Sequence, residues 1–163
     1  MASKLRVDSI LPVDGAPTDG GGGIIQIKQT FLNTATSTTT SGSYTDISGM
    51  SVSITPKFNT SKVFIILSLG CISSNGGISV GFRLLRDSTL IGNAADTTLQ
   101  SGFTNIYDGG DASLMSASFN FLDSPATTSA VTYKIQWRNS SGTTYLNRYT
   151  GSSDSYNGSS TIT

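Results

Sequence analysis

The sequence predicts an all-β protein, a jelly-roll or Greek-key β-sandwich preceded by an extended N-terminal arm. Apolar and polar residues alternate with a period of two in several short segments separated by turn residues, as in strands with one buried face. The composition disfavours helix, because 27 Ser, 22 Thr and 18 Gly residues, with ten aspartates and no glutamate, favour turns and strand surfaces. We expect one domain over residues 24–163, large enough to bury a core without disulfides or metal ions.

The clearest alternation lies between Ser116 and Arg138, on both sides of a turn at Pro125. Before the turn, the apolar positions are Ala117, Phe119 and Phe121. After it, they are Val131, Tyr133, Ile135 and Trp137. Two such strands around one turn predict a hairpin in an antiparallel sheet with one solvated face. Trp137 is expected in the core.

The domain as a whole is expected to contain about eight short strands in two sheets packed face to face. The alternation over residues 25–31 predicts a first strand, and the polar composition of residues 33–43 predicts a loop. The run from Val63 to Leu67 is almost wholly apolar, which predicts a central strand covered on both faces. Residues 86–89 predict a tight turn, whereas residues 92–111 show no periodic pattern and predict a long loop.

Residues 1–23 differ from the domain in pattern. The apolar residues of this candidate docking arm are Leu5, Val7, Ile10, Leu11 and Val13. A glycine run at 20–23 then predicts a hinge. An extended arm without a core of its own is expected to dock on a partner, or alternatively to fold back along its own domain. A phosphate-binding role for the glycines is excluded because a strand pattern follows them rather than a helix.

Composition also limits the function. Ten basic and ten acidic residues balance, so no field is available to attract nucleic acid. The chain has no histidine, which excludes Ser-His-Asp and Cys-His sites. Cys71 is the single cysteine and is expected to be a small buried hydrophobe. No apolar run is long enough to cross a membrane, no secretory signal is recognised, and no cofactor, metal or catalytic residue is expected.

The long loop carries the candidate exposed recognition residues, which are Phe103, Asn105, Tyr107, Asp108 and Asp111. Aromatic and polar groups together are typical of surfaces that bind sugars. Asp108 and Asp111 leave three alternatives open: paired carboxylates of a glycosidase, oxygen ligands of calcium, or an exposed turn. Phe103 can also be interpreted as a plug that holds the loop on the core. Arg83, Lys134 and Arg138 are expected on a solvated or intersubunit face.

Several segments resemble small tail-fibre-like structural proteins of marine tailed bacteriophages, cyanophages among them. They are Ser3 to Val13 with the glycine run and Ile24-Ile25-Gln26, Tyr44 to Gly49, Phe82 to Ser88, Phe121 to Pro125, and Thr132-Tyr133-Lys134. The similarity spans nearly the whole chain. One departure is that chains of that group extend several residues past the final Ser-Thr-Ile-Thr strand, whereas this sequence stops at Thr163, so the resemblance leaves open whether the last strand is complete.

The resemblance implies a virion component on the particle surface: a homotrimer that contacts other virion proteins through its N-terminal segment and turns a jelly-roll domain outward, with no catalytic residue. The expected function is that of a tail fibre or adhesin, which is anchored by its N-terminal arm and presents the sandwich to the host surface. A host surface glycan is a candidate partner. A head decoration or cement protein on the capsid is an alternative. A polysaccharide-degrading enzyme and a lectin are alternatives from other classes.

Overall fold

The computed structural model describes residues 24–39, 42–74, 77–94, 102–108, 113–150 and 158–163, and the structural account concerns these residues. They contain eleven strands and no helix. The strands are β1 Thr30–Leu32, β2 Thr36–Thr38, β3 Thr45–Ile54, β4 Val63–Ser74, β5 Ile78–Arg86, β6 Thr89–Ile91, β7 Thr104–Asp108, β8 Met115–Asp123, β9 Val131–Asn139, β10 Thr144–Leu146 and β11 Ser160–Ile162.

The strands form two antiparallel sheets. In the first sheet, β8 pairs with one edge of β4, while β11 and β10 share its other edge and pair in turn with β1 and β2. In the second sheet the order is β3, β9, β5, and then β6 and β7 share the free edge of β5. Three positions are therefore each filled by two short strands.

Counting each split position once leaves eight positions, four in each sheet, and the chain passes between the sheets as a jelly roll does. The two sheets pack face to face over one core, so the predicted all-β sandwich is confirmed. Its fully buried side chains include Met50, Ile65, Leu67, Leu69, Phe82, Leu84, Tyr133, Ile135 and Ile162. Trp137 is also buried, as predicted. Alternation along each strand places these residues inward.

The predicted hairpin around Pro125 is wrong. β8 pairs with β4 in the first sheet, whereas β9 pairs with β3 and β5 in the second. The intervening segment crosses from one sheet to the other, and Ala126 has a φ of 52° there. Alternation identified both strands and their buried faces, but it carries no information on which strand pairs with which.

Other boundaries also differ from the predictions. β1 begins only at Thr30, so residues 24–29 form no strand. The side chains of Ile25 and Ile27 are exposed. The predicted loop 33–43 contains β2, and the predicted loop 92–111 contains β7. The turn at residues 86–89 is confirmed, since Arg86 and Thr89 are paired across it. Cys71 is half-buried rather than fully buried, and this burial raises the pKa of its thiol.

The prediction for Val63 to Leu67 is correct in one respect and wrong in the other. β4 is a central strand, with partners along both of its edges. Its outer face, however, is left uncovered by the described part of the chain, where Phe64 is 56% exposed and Ile66 is 45% exposed. An apolar outer face on a central strand is a feature that the isolated domain does not explain.

One polar cluster connects the two sheets. Nη1 of Arg86 in β5 donates to both carboxylate oxygens of Asp123 in β8, at 2.9 and 2.8 Å. The hydroxyl of Tyr133 in β9 donates to Asp123 Oδ2 at 2.7 Å. Asp123 is only 7% exposed. Three strands from both sheets are therefore joined through one buried carboxylate.

Tyr133 gives the domain a predicted pH dependence at alkaline pH. Burial, and then the hydrogen bond to Asp123, raise the pKa of Tyr133 above its ordinary value. The unfolded chain releases this proton near pH 10, whereas the folded chain retains it, so the free energy of unfolding should fall as pH rises above about 10. Urea denaturation from pH 8 to 11 should show the stability advantage of the wild type over Tyr133→Phe shrinking over this range. Parallel curves for the two proteins would contradict the assignment.

Candidate functional site

The outer face of the second sheet gathers polar and aromatic side chains from four strands. On β5 and β9 the outward positions lie side by side, with Arg83 opposite Gln136 and Gly81 opposite Arg138. On the other edge of β5, Asn105 lies opposite Gly81, and Tyr107 lies opposite Ser79. We call this surface the polar face, and its residues are Tyr44, Asp46, Ser79, Gly81, Arg83, Asn105, Tyr107, Lys134, Gln136 and Arg138.

A continuous network of hydrogen bonds orders the centre of the polar face. Arg83 Nε donates to Gln136 Oε1 at 2.7 Å, and Gln136 Nε2 donates to Asp46 Oδ1 at 2.5 Å. Lys134 Nζ donates to the other carboxylate oxygen of Asp46 at 2.9 Å. The hydrogen bonds from Lys134 and then Gln136 lower the pKa of Asp46. The carboxylate therefore stays charged at neutral pH and fixes the orientation of the Gln136 amide.

Tyr44, which precedes β3, packs against this network. The guanidinium carbon of Arg83 lies 4.2 Å from the centre of the Tyr44 ring, within the range of a cation–π contact. Burial raises the pKa of the Tyr44 hydroxyl, so it remains protonated. Arg83 is thus held by a ring on one side and an amide on the other, and little conformational entropy remains to be lost when it binds a ligand.

Gly81 lies at the centre of the polar face, where a side chain would obstruct its neighbours. A Cβ atom added at Gly81 would lie 2.6 Å from the Tyr44 hydroxyl and 2.7 Å from Asn105 Oδ1. These two polar atoms therefore converge over the glycine from opposite edges of the sheet. The absence of a side chain at this position permits their approach.

The charges described on the polar face are unequal in sign. Arg83, Lys134 and Arg138 contribute three positive charges, while Asp46 contributes one negative charge. The whole chain has no net charge, so this excess is local. A surface of this kind favours ligands that carry carboxylate or sulfate groups over neutral ones.

Tyr107 provides a flat apolar surface beside the charged groups. Its side chain is 67% exposed, and the neighbouring Asn105 side chain is also exposed. A rigid ring offers contact area at a small cost in conformational entropy, and an amide can both donate and accept hydrogen bonds. The ring, the amides and the guanidinium groups together match the chemistry of a sugar ring that bears hydroxyl and acidic groups.

The structure separates the residues of the predicted recognition loop. Asn105 and Tyr107 lie on the polar face, but Phe103 packs on the core, where its ring stacks on Phe119 with centroids 4.6 Å apart. This placement matches the alternative interpretation of Phe103 as a plug. Asp108 ends β7, and its side chain lies outside the described part of the structure, as does Asp111. The structure therefore does not test the paired-carboxylate and calcium hypotheses.

Sequence reasoning missed Tyr44, Gly81 and Gln136 as members of the site. It placed Arg83, Lys134 and Arg138 on outward strand positions, which is where they lie. The alternation on β5 and β9 was the available signal, but it cannot show that β7 and the start of β3 flank these two strands. The arm residues Leu5, Val7, Ile10, Leu11 and Val13 lie outside the described residues, so the docking hypothesis stays a prediction.

Comparison with known proteins adds no family to these observations. Neither the models of known protein families nor the curated proteins give a match to the sequence. Among the described residues, no helix is long and apolar enough to span a membrane. Within the same residues, acidic and cysteine side chains nowhere form a group of three or more that could hold a metal ion.

Proposed function

We propose that this chain is a structural component of a phage virion, a trimeric tail-fibre or adhesin-like protein that presents its β-sandwich to the host surface. The phage origin is supported by the sequence resemblance. The adhesive role is supported by one observation above all, the ordered network of Arg83, Gln136 and Asp46 beside the exposed ring of Tyr107. Residues 1–23 attach the protein to its neighbours in the particle.

The proposed ligand of the polar face is an acidic polysaccharide. Tyr107 stacks on a sugar ring, and the Asn105 amide bonds to its hydroxyl groups. Arg83 and Arg138 bind the carboxylate of a uronate unit, because a guanidinium group matches a carboxylate in both charge and shape. The side chains are mounted on paired strands rather than on loops, so binding requires little reorganisation.

Arg83→Ala is expected to weaken binding of an oligouronate about tenfold or more, because a hydrogen bond to a charged group contributes about 1.5–3 kcal/mol. Tyr107→Ala should also weaken binding, through loss of the stacking surface. Isothermal titration calorimetry with the oligouronate and with its carboxyl-reduced counterpart measures both effects. The reduced compound should bind the wild type much more weakly.

Arg148→Ala is the matched control. The Arg148 guanidinium lies 4.5 Å from the centre of the Tyr145 ring, so this pair has the same arrangement as Arg83 and Tyr44. Tyr145 belongs to β10 of the first sheet, and Arg148 follows that strand. Its loss should leave oligouronate binding unchanged. Equal effects of Arg83→Ala and Arg148→Ala on oligouronate binding would contradict the assignment of the polar face. A purely adhesive role would be contradicted if the wild-type protein released new reducing ends from the polysaccharide.

The position on the particle is a separate question with its own experiment. Cryo-electron microscopy of virions carrying an epitope-tagged chain should place the tag on the tail. Density on the capsid would instead assign the protein as a head decoration protein.

A further inference from the structure

The outer face of the first sheet exposes large apolar side chains on three of its strands. Phe64 and Ile66 lie on β4, Leu122 lies opposite Phe64 on β8, and Phe31 lies on β1. Their exposed fractions are 56%, 45%, 58% and 57%. Their sequence neighbours on the same strands point into the sandwich, so these four side chains point away from it.

The same surface carries no charge at its described strand positions. The other outward residues of β8, of β11 and of β4 as far as Ser68 are serine, threonine or asparagine, and Asn120 lies opposite Ile66. The polar face of the second sheet, by contrast, carries charges of both signs. We call this part of the first sheet, from Phe31 on β1 across to Leu122 on β8, the neutral face.

The exposed apolar area has the size found at the centre of an interface between subunits. A large apolar side chain presents about 200 Å² in full, so the exposed fractions of these four amount to about 400 Å² in each copy. A standard interface buries about 800 Å² per partner, of which more than half is apolar. Lys62, which precedes β4, donates to Ser124 Oγ at 2.6 Å and so places a charge at the rim, where interfaces are usually polar.

The lack of charge favours a second copy over a charged partner. In a symmetric assembly, the same surface of each copy can meet near the symmetry axis, where any charge would face others of the same sign. Serine, threonine and asparagine avoid this repulsion, and they can donate to and accept from one another. A charged polymer would find no group to pair with on the neutral face, whereas the polar face offers it three cations.

We propose that neighbouring copies of this chain associate through the neutral face, with Phe64, Ile66 and Leu122 at the centre of the contact. In a trimer, the three neutral faces surround the axis, and the second sheets point away from it. The inference rests on the proposed trimeric assembly and identifies the surface that forms it.

Sedimentation of the full chain at micromolar concentration tests the surface. The wild type should sediment as an oligomer, and Phe64→Ser combined with Leu122→Ser should weaken association at least tenfold, because the apolar centre is lost. Both side chains are exposed, so the fold should survive, as circular dichroism would verify. The matched control is Leu90→Ser, a change at an exposed apolar residue of β6 in the second sheet, which should leave association unchanged. A monomeric wild type, or an equal loss with Leu90→Ser, would overturn the proposal.

An added charge tests the neutrality of the contact. Ser118→Asp places a carboxylate on the neutral face beside Asn120, so association should weaken at least tenfold at pH 7 as like charges are brought together. Ser141→Asp adds the same charge at an exposed turn near the other end of β4, since Thr144 pairs with Ser74 there, and should have little effect. Equal weakening by the two variants, or normal association of Ser118→Asp, would reject the neutral face as the contact.

A fluorescent label distinguishes contact between copies from cover by residues of the same chain. Pyrene attached to Ser118→Cys in a Cys71→Ser background should give excimer emission, which requires two labels and therefore two copies. Pyrene at Ser141→Cys should emit as a monomer. Loss of association with the label at Ser118→Cys alone would also support the contact. Excimer emission from both labelled chains, or none from Ser118→Cys chains that still associate, would overturn the proposal.

The same measurements separate this surface from the proposed assembly and from the polar face. A wild type that sediments as a trimer but tolerates every change on the neutral face would overturn the surface and leave the trimer standing. A monomeric wild type would overturn both. Oligouronate binding by these variants tests the polar face independently.

Discussion

Replacing Asp123 with alanine is expected to lower the free energy of unfolding by about 3 kcal/mol, because the change leaves charged and polar partners unpaired inside the sandwich. The lost carboxylate accepts from both Arg86 and Tyr133. A guanidinium group from one strand and a phenol from another would then lack their common acceptor. Urea denaturation at pH 7, followed by circular dichroism, measures the change.

Two other variants establish what the buried carboxylate contributes. Tyr133→Phe removes one hydrogen bond but keeps the ion pair, so it should cost about 1 kcal/mol. Asp46→Ala removes a carboxylate that pairs with Lys134 at the surface, and its effect should stay below about 1 kcal/mol. A loss for Asp123→Ala no larger than that for Asp46→Ala would show that the cluster between the sheets does not stabilise the fold.

Trp137→Ala should destabilise the domain by about 3–5 kcal/mol, the usual cost of a large cavity in a packed core. Trp137 is only 2% exposed and lies opposite Phe82 in the pairing of β9 with β5. The indole points away from the polar face, so the variant should bind the oligouronate as the wild type does at temperatures where it remains folded. Thermal denaturation and calorimetry measure the two properties.

Tyr107→Ala is the matched control for Trp137→Ala and should show the reverse pattern. Its ring is on the surface, so stability should change by less than about 0.5 kcal/mol while binding falls. A stable Trp137→Ala protein with impaired binding would mean that Trp137, rather than Tyr107, supplies the aromatic surface of the site.

The fold class could be predicted because the buried face of a strand is visible as alternation of apolar and polar residues within one segment of the sequence. Tyr133, Ile135 and Trp137 alternate with polar residues, and this alternation alone identifies a strand and its inward side. Which strand pairs with which is not visible within one segment. The segment around Pro125 was predicted to be a hairpin, although the structure uses it to cross between sheets, and only contacts distant in sequence distinguish the two.

The candidate site was predicted only in part for the same reason. Asn105 and Tyr107 were selected for their chemistry, but β7 is a short strand within a polar stretch and was predicted to be a loop. Gly81 gave no signal, since a glycine in a strand becomes informative only when Tyr44 and Asn105 are seen to converge over it. The arrangement of the polar face depends on three strand pairings, none of which can be read from a single strand.

The polar face lies on the second sheet, whereas the exposed apolar side chains Phe64, Ile66 and Leu122 lie on the first, and this separation has a consequence for how tightly an assembly of several copies would bind. If copies associate through the first sheet, their second sheets face outward, and one assembly displays several copies of the surface proposed to bind sugar. Once one surface is engaged, the others experience a high effective concentration of the same polysaccharide. Avidity can then exceed the affinity of a single site by about 10²–10⁴ without any new contact. A particle that carries the proposed assembly would then combine weak, reversible contacts of individual subunits with lasting attachment.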